Sequence, residues 1–120
     1  MSKKVNIETT REGKVTLVIF EAGSISNVEE IAAISNKIKE FIEENHPNKI
    51  VVDFEKVKFF SSQVLAVLLD IRAKLKAYDG KVVISAIKPQ LYRIFKITNL
   101  DKVFNFFPDR ESAIRGICTD

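Results

Sequence analysis

The stretch Val57-Lys58-Phe59-Phe60-Ser61-Ser62-Gln63-Val64-Leu65-Ala66-Val67-Leu68-Leu69 decides how the chain is read. It follows an apolar strand pattern, Ile50-Val51-Val52-Asp53-Phe54, across the short charged link Glu55-Lys56. It runs into a helix pattern from about Ser62 to Tyr78, which Leu69, Ile71, Ala73, Leu75 and Ala77 would bury. Two serines stand where that helix begins. A serine there accepts a hydrogen bond from a free backbone N–H, which predicts a helix cap. The same place favours added negative charge, because a helix N-terminus carries a partial positive charge. A phosphate on one of these serines is therefore electrostatically welcome there and changes the surface strongly.

Working outward, the N-terminal side reads as Val5 to Thr10, a turn at Arg11-Glu12-Gly13-Lys14, and Val15 to Phe20. Two β-branched runs around a glycine-containing turn predict a hairpin. Glu21 to Ile25 reads as a loop. Ser26, three residues before Glu29, has capping-box spacing. Ile31, Ile34, Ile38, Phe41 and Ile42 then recur at helical intervals up to Pro47. The run Ile50 to Phe54 has few polar positions, as in a strand covered on both faces.

On the C-terminal side, Asp79-Gly80 stops the central helix, with Gly80 suited to a left-handed turn. Lys81 to Ala86 is a strand. Pro89 opens a helix that turns Leu91, Ile94, Phe95 and Ile97 inward, and Asn99 suits the left-handed exit. Val103 to Phe107 is a last strand, and Pro108-Asp109 starts a last helix. Strands alternating with helices predict an α/β domain. The expected architecture is one domain over residues 1–120, a central mixed sheet of about four to five strands and about four helices.

Composition narrows the function. A chain of 120 residues that is 46% hydrophobic buries one real core and is not disordered. No apolar run approaches the roughly 20 residues that span a bilayer, and Met1-Ser2-Lys3-Lys4 leads straight into a strand pattern with no signal-peptide core. A cytoplasmic protein is expected, with no membrane partner. The lone Cys118 fits, since one cysteine makes no internal disulfide. A net charge of +3, with lysines and glutamates interspersed, reads as a solvated surface and not a nucleic-acid stripe.

Catalytic signals are sparse. The four glycines are scattered, so no phosphate loop is present. His46 sits in a polar stretch beside Pro47 and reads as a surface histidine. No cluster has metal-ligand spacing, so no metal or cofactor is expected. Asp53 ends a buried strand, where it either serves a function or caps the following turn. Ser61 and Ser62 have no neighbouring base in sequence to activate them. An enzyme is the weakest reading.

Three segments carry a family resemblance. Val51 to Phe54 through Val57-Lys58-Phe59-Phe60 resembles a strand with an Asp followed by "V-x-F-I". Ser61 to Leu69 resembles a helix start written "D-S-S-G-L-G-V-L-L". Phe95-Lys96-Ile97-Thr98-Asn99-Leu100-Asp101-Lys102-Val103-Phe104 resembles "L-x-L-T-G-L-D-K-V-F". Together these resemble a STAS domain of the stand-alone bacterial anti-sigma factor antagonist type, over almost the whole chain.

The resemblance implies a protein that binds an anti-sigma factor, a serine kinase of the ATP-binding GHKL type, and so releases a sigma factor. It implies partner contacts at Ser24, Ile25, Ser26 and Asn27 together with Ser61, Ser62 and Gln63. The family's switch serine is the second of "D-S-S-G", and that position is Gln63 here. Ser61 stands at the Asp position, Ser62 at the first Ser and Val64 at the Gly. Ser24 stands where many members carry an Asp. Either Ser62 is the phosphoacceptor, with Ser61 as second choice, or the protein works without a phosphoswitch. The rival reading is a sensor module holding a small anion or nucleotide between the helix start and the Ser24 loop.

Overall fold

The computed structural model describes residues 7–118. Val5 and Asn6 of the expected first strand, and the Met1–Lys4 segment, lie outside the described residues. β1 (Ile7–Glu12) and β2 (Val15–Phe20) form the expected antiparallel hairpin. Its turn places Gly13 at φ +62, a conformation that glycine adopts at no steric cost. All six residues of β2 are buried, so the hairpin feeds its second strand into the sheet interior.

The segment read as a loop contains a two-residue strand, β3 (Ser24–Ile25). α1 (Val28–Asn45) follows and buries Ile31, Ile34, Ile38 and Ile42 at the predicted spacing. Its cap is not Ser26. Asn27 Oδ1 accepts from the Glu30 N–H at 3.0 Å, and the pair Asn27/Glu30 has the same spacing as Ser26/Glu29. The helix ends at His46, which takes a left-handed φ of 45 just before Pro47.

β4 (Lys49–Asp53) is buried as its composition predicts. β5 (Phe59–Phe60) is a second short strand, and α2 (Gln63–Lys76) begins three residues after it. α2 buries Val64, Leu65, Val67, Leu68, Ile71 and Leu75. Leu69, Ala73 and Ala77, expected inside, are exposed. At about 100° per residue they fall on the side opposite Leu68 and Leu75. The helix exit also differs in detail. Asp79, not Gly80, holds the left-handed conformation, at φ 63. Gly80 is needed for close packing: a Cβ there would lie 3.0 Å from Leu75 Cβ and 3.1 Å from the Asn48 carbonyl.

β6 (Lys81–Ser85) leads to α3 (Pro89–Ile97), with Pro89 in its first turn. Leu91 and Phe95 are buried, but Ile97, expected inward, is 75% exposed. Asn99 takes the expected left-handed exit at φ 63. Leu100–Lys102 then form a 3-10 turn, which shortens the predicted last strand to β7 (Phe106–Phe107). α4 (Arg110–Cys118) closes the chain. Asp109 starts it as predicted, its Oδ1 accepting from the Ser112 N–H at 2.7 Å.

The main sheet runs β1-β2-β4-β6-β7, with β2, β4, β6 and β7 parallel and β1 antiparallel. It is the mixed five-stranded sheet with four helices that the sequence predicts. One face carries the large core, built from Val18, Val52 and Ile84 of the sheet against α1, α2 and α3. The other face is smaller: Leu17, Val51 and Val83 pack against Ala113 and Ile117 of α4. No described helix is long and apolar enough to cross a membrane.

Candidate functional site

Two short strands build the site. β3 and β5 pair in parallel with Ser24 opposite Phe59 and Ile25 opposite Phe60. The pairing is fastened at both ends. The Lys58 and Phe59 N–H groups both donate to the Gly23 carbonyl, at 2.7 and 3.1 Å, and the Ser61 N–H donates to the Ile25 carbonyl at 3.0 Å. Strand alternation turns Ile25 and Phe60 into the core and leaves Ser24 and Phe59 outside. Phe60 is held there by a tilted contact with the Phe54 ring and an edge contact with the Phe95 ring.

The chain passes from this pair straight into α2. Ser62 and Gln63 are exposed at its first turn. Neither serine caps the helix through its side chain. Ser62 has helical backbone angles, φ −59 and ψ −19, and its side chain makes no cap hydrogen bond. A capping residue needs extended backbone to swing its hydroxyl toward the free N–H groups, so this geometry removes the predicted cap. The first turn is closed by the backbone instead: Val64 N–H donates to the Ser61 carbonyl and Leu65 N–H to the Ser62 carbonyl, each at 3.0 Å. Ser61 Oγ is buried and has no hydrogen-bond partner.

The seven predicted site residues therefore separate. Ser24, Ser62 and Gln63 are exposed around the joined ends of β3, β5 and α2. Ser26 and Asn27 are also exposed, but the Asn27 carboxamide oxygen is committed to the α1 cap. Ile25 is 0% exposed, so its side chain supports the pair from beneath and offers a partner no surface. The buried hydroxyl of Ser61 is likewise withheld from solvent.

Sequence reading missed Phe59, which is 53% exposed beside Ser24. Nothing in an apolar run marks which of two adjacent phenylalanines faces out; the pairing with β3 decides it. It also missed the anchors of the link before β5. Lys56 Nζ lies 2.6 Å from Glu21 Oε2, and the hydrogen bond to Glu21 raises the lysine pKa above its ordinary value. Lys88 Nζ donates to the Glu55 carbonyl at 2.7 Å.

Asp53, which sequence left between a functional and a turn-capping role, does the second and more. Its Oδ1 accepts from the Glu55 N–H at 2.8 Å, which shapes the turn into the link. Its Oδ2 accepts from Ser85 Oγ at 3.1 Å and from Arg110 Nε at 2.9 Å. That carboxylate is only 1% exposed and ties β4, β6 and α4 together. The arginine pKa is raised, chiefly by this hydrogen bond to Asp53. Among the described residues no group of three or more His, Cys, Asp or Glu side chains is placed to hold a metal ion.

Solved structures with this architecture include an anti-sigma-factor antagonist STAS domain protein from Planctomyces limnophilus. The TM-score is 0.85 at 22% identity, over 93% of this chain and 97% of that one. An anti-sigma factor antagonist from Mycobacterium paratuberculosis superposes with a TM-score of 0.81 at 23% identity, over 92% of each chain. The Bacillus cell fate determinant SpoIIAA in its phosphorylated form gives 0.72 at 19% identity, over 92% of this chain and 98% of that one. At these identities the likeness is one of fold. A family model for the STAS domain matches residues 6–113, nearly the whole chain. The chain belongs to the STAS domain family.

Proposed function

We propose that this protein is an anti-sigma factor antagonist. It binds an anti-sigma factor of the GHKL ATPase and serine kinase type, and the sequestered sigma factor is released. The observation that carries the reading is the β3–β5 pair, which sets Ser24 and Phe59 side by side next to the exposed start of α2. Polar groups around one solvent-exposed aromatic ring make a small anchor for a partner surface. The partner face is then Ser24, Ser26, Asn27, Phe59, Ser62 and Gln63. The structural neighbours described as anti-sigma factor antagonists support the general role.

Ser62 is the acceptor in this reading if a phosphoswitch operates. Its position is exposed at the helix start, whereas the Ser61 hydroxyl is buried. A phosphate of about two negative charges there faces helix N–H groups in the free protein and opposes an acidic or closely packed partner. Affinity capture from cell extract with this chain as bait tests the class, the expected catch being a GHKL-type ATPase. Incubation with that ATPase, ATP and magnesium, followed by mass spectrometry, tests the switch. Phosphate on Ser62 supports it. No added phosphate, with binding intact, makes this a phosphorylation-independent antagonist. Recovery of a small metabolite alone would favour the anion-sensor reading.

A further inference from the structure

Between β4 and β5 the chain turns once. The Val57 N–H donates to the Phe54 carbonyl at 3.0 Å, so Glu55 and Lys56 are the two central residues of a β-turn. Side chains from outside the turn hold both backbone groups of Glu55. Its N–H donates to Asp53 Oδ1 at 2.8 Å, and its carbonyl accepts from Lys88 Nζ at 2.7 Å. We propose that Lys88 is a positioning residue for the partner surface: its ammonium locks this turn, and the turn fixes how β5 enters its pairing with β3. The inference rests on the partner reading above and adds a residue that acts on that surface from outside it.

The Glu55 carbonyl belongs to the central peptide of the turn. Rotating that peptide by about 180° converts a type I turn into type II and demands a positive φ at the second central residue. Neither Glu55 nor Lys56 has a positive φ. The charge-assisted hydrogen bond from Lys88 holds the carbonyl in the matching orientation. Phe59 stands two residues past the turn, on a strand only two residues long. The N–H groups of Lys58, Phe59 and Ser61 fasten that strand to the Gly23 and Ile25 carbonyls. So short a pair depends on what braces it. Val57 and Phe60 are buried and hold its inward side, while Lys58 and Phe59 are exposed and follow the path set by the turn.

Lys88 is half-buried and precedes Pro89, with the extended backbone that a following proline favours, φ −72 and ψ 147. Its side chain makes no cap hydrogen bond to α3, so its role at the turn is separable from the start of that helix. Lys56, the other cation of the turn, is 55% exposed and pairs with the Glu21 side chain, whereas Lys88 grips the backbone itself.

Amide hydrogen exchange read by NMR in the free protein tests the brace, and binding of the captured ATPase tests what the brace is for. In Lys88→Met, which keeps the length of the side chain and removes its donor, protection at Lys58, Phe59 and Ser61 should fall about three- to tenfold. Protection at Val52 and Ile84, inside the sheet, should not change. Affinity for the ATPase should fall by a similar factor. Lys88→Arg, which keeps a cationic donor, should restore both, and Lys39→Met, which breaks the pair with Asp70 between α1 and α2, should alter neither. Unchanged protection in Lys88→Met, or a loss shared equally by Val52 and Ile84, would overturn the assignment. So would lost protection with undiminished ATPase binding. If no ATPase is caught, the partner reading fails by itself, and the exchange comparison still decides whether Lys88 holds the β3–β5 pair.

Discussion

Replacing Arg110 by alanine probes the ion pair that ties α4 to the strand ahead of the candidate site. Asp53 is 1% exposed and loses one of the two donors to its Oδ2, keeping Ser85 Oγ and the Glu55 N–H. Breaking a buried pair by removing one partner costs about 3–5 kcal/mol, because a charge is left uncompensated in a poorly solvated place. Arg110 itself is 36% exposed, so water reaches part of the vacated space and the cost drops to about 2–3 kcal/mol. A surface pair such as Lys56–Glu21, with its lysine 55% exposed, contributes far less, because water screens the charges and two mobile side chains must be ordered to form it. Denaturant unfolding of Arg110→Ala should show the midpoint fall with the slope unchanged. Asp53→Asn in the same background should recover much of the loss, since the uncompensated charge is then gone. A loss under about 1 kcal/mol, or no recovery in the double variant, would refute the buried-charge argument.

Other consequences follow from single positions. Leu68 is fully buried under α2, and Leu68→Ala should cost about 2–5 kcal/mol in chemical denaturation, whereas Leu69→Ala, on the exposed side, should cost little. Ala86 holds a left-handed φ of 57, which costs a non-glycine residue about 1–2 kcal/mol. Ala86→Gly relieves that and gives back about 0.4–1 kcal/mol in unfolded-chain entropy, so a net gain of roughly 0.5 kcal/mol is expected in thermal unfolding. The Asp109 carboxyl is held below its ordinary 3.8, first by the Ser112 N–H and then by the Ser112 side chain. A carboxyl with a lowered folded pKa stabilises above the unfolded value, and the effect is lost as pH falls through the folded one. The protection of α4 amides against exchange, taken relative to the intrinsic rate at each pH, should therefore fall as pH drops below 3.8, and less so in Asp109→Asn.

The elements with strong periodicity could be read from residues alone. Ile50, Val51 and Val52 are 0% exposed, as an unbroken β-branched run in a covered strand requires. The isoleucines of α1 face inward at helical spacing for the same reason. What escaped was decided by geometry between distant segments. β3 and β5 are two residues each, too short for any period, and exist because Gly23 and Ile25 carbonyls meet N–H groups of the Lys58–Ser61 segment. The Arg110–Asp53 pair joins residues 57 positions apart. Local chemistry also misled where two choices were equal. Ser26 and Asn27 both fit a cap, and only the path of the chain leaving β3 selects Asn27. The serines at α2 suit a cap by type, yet Ser62 is already helical and cannot form one.

The central claim is that the β3–β5 pair and the start of α2 form one partner surface. Backbone NMR of the labelled chain, with the captured ATPase added stepwise, tests it most directly. The account predicts shifts and line broadening at Ser24, Ser26, Asn27, Phe59, Ser62 and Gln63, with charge substitutions at Ser24 and Gln63 weakening binding in a still-folded protein. Shifts clustered instead around Lys81 or α4, with the Ser24 and Gln63 variants binding normally, would contradict it.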